Sequence, residues 1–168
     1  MATMVRLTRM SARLTTGTPA PAFTLPDETG NEVSLTDFAG RSVILYFYPA
    51  AMTPGCTTQA VDFSASIDAF NEAGYTVLGV SPDSVERLAK FKEKSDIGFT
   101  LLADPEKKVL NLYGAYGLRK LYGKEIEGVL RSTFVIDVDD EGNGLVRVAQ
   151  YNVKATGHVA KLRRELGV

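Results

Sequence analysis

The sequence predicts a three-layer α/β domain with a mixed central sheet, and three observations support this prediction. The segment Ser42–Tyr48 is an unbroken run dominated by β-branched and aromatic residues, which is typical of a strand buried on both faces. Strand-like and helix-like segments then alternate, which implies right-handed crossovers between parallel strands. The last two strand-like segments flank a polar turn at 139–144, which adds an antiparallel pair.

The first half of the chain carries a predicted hairpin, a strand, a long helix and a second strand. The turn residues 27–31 lie between two short apolar pieces, so we expect an N-terminal β-hairpin within Thr18–Leu35. After the strand at Ser42–Tyr48, apolar residues three or four apart predict one helix over Cys56–Ala73. Gly74 can end that helix, and Tyr75–Val80 is the next strand.

The second half predicts two more helix–strand steps and a closing helix. A polar turn at 81–84 opens a helix whose apolar residues share one face, and Asp104 with Pro105 is a start signal for a short helix. Thr156 is a candidate cap for the closing helix. The remaining predicted elements are strands at Phe99–Leu102, Ser132–Val138 and Leu145–Val153, and the closing helix at Ala155–Leu166.

A chain of 168 residues favours one domain, which we place at 18–168. Residues 1–17 begin with a stretch that has three arginines and no acid, and they lack the apolar core of a secretory signal. We expect a disordered tail or an overlong start there, and the alternative is a transit peptide.

The charge balance argues against nucleic acid or an anionic membrane as a partner. The 19 basic and 20 acidic residues leave a net charge of −1, and no apolar stretch has the length of a membrane span. The chain has one cysteine, which excludes an intrachain disulfide and a cysteine-based zinc site. We expect no cofactor and no metal. A free thiol suits a reducing compartment, so we expect a cytoplasmic protein.

The single cysteine, Cys56, lies between the end of a buried strand and the start of a helix. Ligands bind at such a position in open α/β sheets, and the free amides and dipole of a helix start favour a thiolate. The hydroxyl of Thr53, three residues earlier, can reach the thiolate or a bound oxyanion, and Pro49 can shield the sulfur from water. The alternative is a buried structural cysteine, because free cysteines are commonly buried.

The pattern Pro49-x-x-x-Thr53-x-x-Cys56 resembles the active-site signature of the peroxiredoxins. Tyr48-Pro49 at its start and residues 53–57 at its end are similar to the bacterioferritin-comigratory, or Q-type, subgroup. The resemblance extends over about residues 18–166. Three further stretches carry it: Gly79–Asp83, Phe99–Pro105, and Tyr113-Gly114 followed by Arg131–Asp137.

This resemblance implies a thioredoxin-like fold and a metal-free peroxidase that reduces hydrogen peroxide and organic hydroperoxides. The Cys56 thiolate would attack the terminal peroxide oxygen and become a sulfenic acid. The Thr53 hydroxyl, the amides near Cys56 and the Arg131 guanidinium would be fixed donors along the reacting atoms. From the residue alone, a salt-bridged or solvated strand-edge arginine is the favoured interpretation of Arg131, and the match of residues 131–137 to the family overturns it. Gly55 and Gln59 belong to the supporting loop.

Two positions depart from the family pattern. Many members of the subgroup have a second cysteine five residues after the first, where this chain has Val61. An external thiol must therefore resolve the sulfenic acid. Candidates are thioredoxin, a glutaredoxin-like protein with a low-molecular-weight thiol, or such a thiol alone. Gln59 stands where the family often has glutamate, and the alternative is that it is an exposed helix residue. We expect a monomer or a homodimer.

Two other functions remain open from the residues. A thiol–disulfide oxidoreductase on the same fold normally needs a Cys-x-x-Cys pair, and residues 53 and 59 are Thr and Gln. A non-enzymatic redox sensor or scaffold with an oxidisable cysteine would need no resolving partner. The only histidine, His158, is predicted to be a surface or helix-start residue without a role, rather than part of a Cys–His dyad.

Overall fold

The computed structural model describes residues 13–121 and 123–168. The strands of this part of the chain are β1 (Thr24–Pro26), β2 (Glu32–Ser34), β3 (Ser42–Phe47), β4 (Tyr75–Ser81), β5 (Thr100–Ala103), β6 (Tyr116–Leu121), β7 (Lys124–Val129), β8 (Ser132–Val138) and β9 (Gly144–Gln150). Its α-helices are α1 (Pro54–Ala65), α2 (Ile67–Glu72), α3 (Val85–Ser95), α4 (Lys108–Leu112) and α5 (His158–Leu166).

The central sheet has five strands in the order β5-β4-β3-β8-β9. Strands β3, β4 and β5 are parallel, whereas β8 and β9 run antiparallel to their neighbours. The predicted mixed sheet is therefore confirmed. Strands β1 and β2 pair antiparallel, with Leu25 opposite Val33, which confirms the predicted N-terminal hairpin.

Strand β3 supplies both hydrophobic cores because its side chains alternate between the two faces of the sheet. Ile44 and Tyr46 point into one core, with apolar residues of α1, α2, α3 and α5. Val43, Leu45 and Phe47 point into the other, with residues of α4 and the N-terminal hairpin. The three-layer arrangement predicted from the sequence is confirmed, and the continuous apolar run reflects burial on both faces.

The pairing of β3 with β8 determines which loops meet. The last residue of β3, Phe47, is the register partner of Ser132, the first residue of β8. Because these strands are antiparallel, the chain leaving β3 and the chain entering β8 lie side by side. The loop that leads to Cys56 therefore lies beside Arg131, although 75 residues separate the two in sequence.

The predicted helix over Cys56–Ala73 is two helices, so that prediction was wrong in its extent. Helix α1 begins two residues earlier, at Pro54, and ends at Ala65. Ser66, with φ −105° and ψ 7°, separates it from α2. Phe63 and Phe70 are both fully buried on either side of the break. Apolar spacing continues across the break, so periodicity could not reveal it.

The short helix α4 begins at Lys108, four residues after its predicted start at Asp104. The Asp104 carboxylate still satisfies the first amides, because it accepts from the backbone of Lys108 at 3.1 Å and of Leu110 at 2.8 Å. Lys107, which lies between Asp104 and the first residue of α4, is in the left-handed region, with φ 62°. Asp104 is thus a cap that acts from outside the first turn.

The closing helix α5 begins at His158, not at Ala155 as predicted. Its N-cap residue is Gly157, with φ 79°, and no side chain caps the helix. The predicted cap, Thr156, is therefore wrong. A left-handed residue at this position favours glycine, which explains why the helix starts after Gly157.

The hairpin of β6 and β7 was not predicted, because the sequence has no strand signal between the short helix that follows Asp104 and the strand at Ser132–Val138. The two strands pair with each other, with Gly117 opposite Gly128, and form a separate two-stranded sheet. Most of β7 is exposed. A strand that is exposed along most of its length lacks the alternating apolar pattern on which strand prediction depends.

Residues 1–12 of the predicted tail lie outside the described residues, so disorder there stays a prediction. Residues 13–17, which we also placed in the tail, lie against the edge strand β9 and the residue that follows it. The Gly17 amide donates to the Val146 carbonyl at 2.8 Å, and the Leu14 amide donates to the Tyr151 hydroxyl at 2.8 Å. Across the described ranges, no helix has the length and apolarity needed to cross a bilayer.

Candidate active site

Cys56 is the third residue of α1, as the sequence context suggested. Pro54 occupies the first helical position, where its fixed φ is favourable and its missing N–H has no consequence. The first backbone bond of the helix runs from the Thr57 amide to the Thr53 carbonyl, at 2.9 Å. The amides of Gly55 and Cys56 therefore precede the helical hydrogen-bond ladder and are available to an anion.

The sulfur of Cys56 is buried, yet it contacts a cation. The residue is 2% exposed and belongs to the apolar cluster on the α1 face of the sheet. Its Sγ accepts a hydrogen bond from Nη2 of Arg131 at 3.4 Å. The structure thus combines the burial of a structural cysteine with the charge contact of a reactive one.

Two contacts hold Arg131 beside the sulfur. Its Nη1 donates to Oε1 of Gln59 at 2.7 Å, and its carbonyl accepts from the Val153 amide at 2.9 Å. Gln59 is fully buried, so the alternative of an exposed helix residue is wrong. Because Gln59 lies one turn after Cys56 on α1, a single helix face presents both acceptors of the guanidinium fork.

The neutral side chain of Gln59 has an electrostatic consequence. A carboxylate at this position would form an ion pair with Arg131, whereas the amide accepts a hydrogen bond without cancelling the positive charge. No ion pair to Arg131 occurs among residues 13–121 and 123–168. The guanidinium charge is therefore available to the sulfur and to any oxyanion bound next to it.

Gly55 leaves room for this contact. A Cβ atom at Gly55 would lie 3.4 Å from Nη2 of Arg131 and 3.6 Å from Cβ of Ala155. Any larger side chain would therefore compete with the guanidinium for the space beside Cys56. A methyl group would fit here at ordinary contact distance, so the space beside Arg131 limits residue 55 to glycine or alanine.

The hydroxyl of Thr53 is oriented by the loop that precedes α1. It is exposed, and it donates its hydrogen to the Ala50 carbonyl at 2.8 Å. Because this hydrogen is committed, the oxygen faces a ligand only as an acceptor. The expectation that Thr53 acts as a donor is therefore not supported by this geometry. Pro49 follows the buried Tyr48 and is half-buried, so its shielding role stays a prediction.

A cleft of about 470 Å³ opens beside Arg131. Apolar and polar side chains line it together: Leu118, Arg119, Leu130, Arg131, Asn152 and Val153. Leu118 belongs to the β6–β7 hairpin, which was not predicted, so this wall of the cleft was not predicted either. No motif signals Leu118, because it reaches the cleft only through the fold.

His158 is the first residue of α5, as one of the two predicted placements had it, but it is not on the surface. It is 5% exposed, and its Nε2 lies 2.9 Å from the Thr133 hydroxyl. Its ring packs edge-on against Phe63, with centroids 6.1 Å apart. Burial lowers the pKa of His158 to about 4, and the nearby positive charges of Lys161 and Arg131 act in the same direction.

The depressed pKa of His158 predicts a loss of stability in acid. The unfolded chain binds a proton near the ordinary histidine pKa, whereas the folded chain resists it until about pH 4. Stability should therefore fall as the pH drops through this window, by about 3 kcal/mol at the acid end. Urea unfolding of the native protein and of His158→Gln, at several pH values from about 7 to about 4.5, isolates this contribution.

Glutamine is the matched replacement, because it does not titrate in this range and can still bond to the Thr133 hydroxyl. The expected result is a flatter dependence of the unfolding free energy on pH in His158→Gln. Equal pH dependence in both proteins would show that His158 does not resist protonation in the fold.

Comparisons with known proteins agree with this fold and site. The AhpC/TSA family profile matches residues 16–143. A putative peroxiredoxin of Mycobacterium tuberculosis is 58% identical over 158 residues, which cover 94% of this chain and 98% of that protein. Peroxiredoxin Bcp of Escherichia coli is 46% identical over 126 residues, which cover 75% of this chain and 81% of that protein.

Solved structures give the same result. The bacterioferritin comigratory protein of Xanthomonas campestris superimposes with a TM-score of 0.77 and 34% identity, covering 86% of this chain and 90% of that one. The peroxidoxin BcpB of Mycobacterium tuberculosis has a TM-score of 0.77 and 34% identity, covering 92% and 97% of the two chains.

A thioredoxin-like sheet with a thiol and a guanidinium at the start of its first long helix defines a peroxiredoxin, and the chain belongs to the AhpC/TSA family. Within that family it is a peroxiredoxin of the bacterioferritin-comigratory, or Q-type, subgroup, and it has one cysteine. The resemblance found in the sequence and the fold it implied are confirmed.

Proposed function

We propose that the protein is a thiol-specific peroxidase that reduces hydrogen peroxide and organic hydroperoxides through a sulfenic acid on Cys56. The observation that carries this proposal is the 3.4 Å contact between the Arg131 guanidinium and the sulfur, at the first turn of a helix. Both features favour a thiolate and supply positive potential where charge moves during O–O cleavage.

In the oxidation step, the thiolate attacks the terminal oxygen of the hydroperoxide. An S–O bond forms and the O–O bond breaks, so the sulfur is oxidised and the second oxygen leaves as hydroxide or alkoxide. That oxygen takes up a proton and departs as water or an alcohol, and Cys56 becomes a sulfenic acid. Arg131 and the free amides of α1 stabilise the developing charge. The Thr53 oxygen accepts the peroxide hydrogen, which orients the attacked oxygen.

The reduction step requires thiols from outside the chain, since position 61 is valine and no second cysteine exists. A first thiol attacks the sulfenic acid, which forms a mixed disulfide and releases water. A second thiol attacks the mixed disulfide, which restores Cys56 and releases the oxidised reductant. The reductant is thioredoxin, a glutaredoxin-like protein with a low-molecular-weight thiol, or such a thiol alone.

Two observations support organic hydroperoxides as substrates: the cleft beside Arg131 and a structural relative. The cleft beside Arg131 contains Leu118, Leu130 and Val153, which can contact an alkyl group. The Xanthomonas campestris relative is described as having alkyl peroxide reduction activity.

The state of assembly and the compartment are part of the same proposal. We expect a monomer or a homodimer in a reducing compartment such as the cytoplasm, where a lone thiol stays reduced. Cys56 is 2% exposed, so a disulfide between two copies would require a rearrangement around α1. Size-exclusion chromatography of the reduced and the peroxide-treated protein would show whether each is a monomer or a dimer.

The direct test is to titrate the reduced protein with hydrogen peroxide and with an organic hydroperoxide, and to follow Cys56 by mass spectrometry. The expected result is stoichiometric sulfenic acid, formed at a rate orders of magnitude above that of free cysteine. Thioredoxin, a glutaredoxin-like protein and a low-molecular-weight thiol are then supplied in turn, and the one that sustains turnover is the reductant. A rate near that of free cysteine would favour a sensor or scaffold instead.

A further inference from the structure

Asp83 connects the end of β4 to the loop before Cys56. Its carboxylate side chain is 10% exposed, and its Oδ2 accepts from the Ala51 amide at 2.7 Å. The same oxygen accepts from the Ser81 hydroxyl at 2.8 Å. Ala51 is 1% exposed and lies two residues before Thr53. A buried carboxylate is stable only when its oxygens are satisfied, so the loop amide is part of its required environment.

Arg87 completes this contact from the first turn of α3. Its Nε donates to Oδ1 of Asp83 at 3.1 Å, and its Nη2 donates to the Ala51 carbonyl at 3.4 Å. The Asp83–Arg87 pair thus holds both the N–H and the C=O of a single residue. Neither group contacts Cys56, so the pair acts on the loop and not on the sulfur.

The next residue shows why the loop needs such support. Met52 has φ 63°, in the left-handed region that residues other than glycine rarely adopt. Such a conformation is strained and persists only when its surroundings impose it. The Asp83–Arg87 pair restrains the residue before Met52, and α1 restrains the chain after Thr53. Between them, the backbone turns so that the Thr53 hydroxyl donates to the Ala50 carbonyl.

We infer that Asp83 is a positioning residue for the peroxidase reaction, which acts through Ala51 to orient the Thr53 hydroxyl beside Cys56. This inference rests on the function proposed above. The Asp83 carboxylate holds the loop backbone at Ala51. The loop backbone in turn sets the direction of the Thr53 hydroxyl hydrogen, which is donated to the Ala50 carbonyl. The Thr53 oxygen is then oriented to accept the hydrogen of the peroxide. Loss of the carboxylate should therefore impair the reaction with peroxide and spare the intrinsic reactivity of the thiol.

The test compares two reactions of the reduced protein, oxidation by hydrogen peroxide and alkylation by iodoacetamide. Alkylation needs a thiolate but does not need Thr53. In Asp83→Ala, the rate constant with peroxide should fall about 10- to 100-fold, as expected when reacting groups are misplaced by about 1 Å. The alkylation rate should not fall. In a Thr53→Val background, Asp83→Ala should have little further effect on the peroxide reaction.

Asp137→Ala is the matched control. Asp137 also pairs with an arginine, Arg147, at 2.9 Å, and accepts from a serine hydroxyl, that of Ser42, at 2.6 Å. It lies near the opposite end of β8 from Arg131, about 20 Å away along the strand. This control should react with peroxide like the native protein. If Asp83→Ala does not fold, Asp83→Asn replaces it, because the amide keeps one acceptor and must turn its NH₂ group against a donor.

Three results would overturn the inference. The first is an Asp83 variant that reacts with peroxide as fast as the Asp137 control. The second is a parallel loss of peroxide and alkylation reactivity, which would place the effect on the thiolate. The third is an equal effect of Asp83→Ala on the peroxide rate constant in the native and the Thr53→Val backgrounds, which would show that the two residues act independently. A native protein that reacts with peroxide no faster than free cysteine would overturn the proposed function, and this inference with it.

Discussion

Replacement of Cys56 by serine is expected to abolish peroxide turnover completely. The serine hydroxyl is not ionised near neutral pH, and its oxygen cannot be oxidised to an analogue of sulfenic acid. The chain has no other cysteine to take over. Serine is nearly isosteric, and its oxygen can accept from Arg131 as Sγ does, so the fold should be kept. Consumption of hydrogen peroxide with each candidate thiol reductant measures the loss.

A chemical control separates the loss of sulfur from any effect of the substitution. Native protein alkylated at Cys56 should be as inactive as Cys56→Ser, and far-ultraviolet circular dichroism should show the same helix content in both. Turnover by Cys56→Ser above the protein-free rate would mean that the reaction occurs elsewhere in the molecule.

Arg131→Ala is expected to slow the oxidation of Cys56 by about 100- to 1000-fold, the usual effect of removing one fixed donor from a site of developing charge. The guanidinium donates to Sγ at 3.4 Å and to Oε1 of Gln59 at 2.7 Å. Its removal therefore takes away the positive charge and both of these hydrogen bonds. Stopped-flow oxidation of the reduced variant by hydrogen peroxide measures the rate.

Two further variants define the contribution of Arg131. Arg131→Lys keeps the charge but cannot contact Cys56 and Gln59 with one planar fork, so it should recover only part of the rate. Arg147→Ala removes an arginine that pairs with Asp137 and not with Cys56. Cys56 of this variant should be oxidised at the native rate. An unchanged oxidation rate in Arg131→Ala would show that the guanidinium has no role in the reaction.

The sequence predicted the parts of the site that depend on neighbouring residues. A buried strand, a turn and a helix start follow one another within residues 42–56, so their order alone placed Cys56 at the first turn of α1. The prediction for Arg131 came from a resemblance of residues 131–137 to the family. Without it, a salt-bridged or solvated arginine is the favoured interpretation, because no local pattern shows what lies 75 residues away.

Other features of the site had no signal in the sequence. Most of β7 is exposed, so the β6–β7 hairpin has little apolar patterning and the wall of the cleft that Leu118 contributes was missed. The burial of His158 depends on its packing against Phe63 and Thr133, which belong to other elements. The break at Ser66 preserves the apolar spacing of the flanking helices, so the predicted helix was too long.

The sequence by itself determined the alternation of strands and helices in the central sheet, the position of the thiol at a helix start, and the absence of a second cysteine. These depend on local patterns and on residue counts. Only the tertiary structure decided which groups meet the sulfur and the loop. The antiparallel register of β3 with β8 brings Arg131 to Cys56, and the parallel register of β3 with β4 brings Asp83 to Ala51. Strand pairing is a long-range interaction, so its consequences are absent from any local pattern of residues.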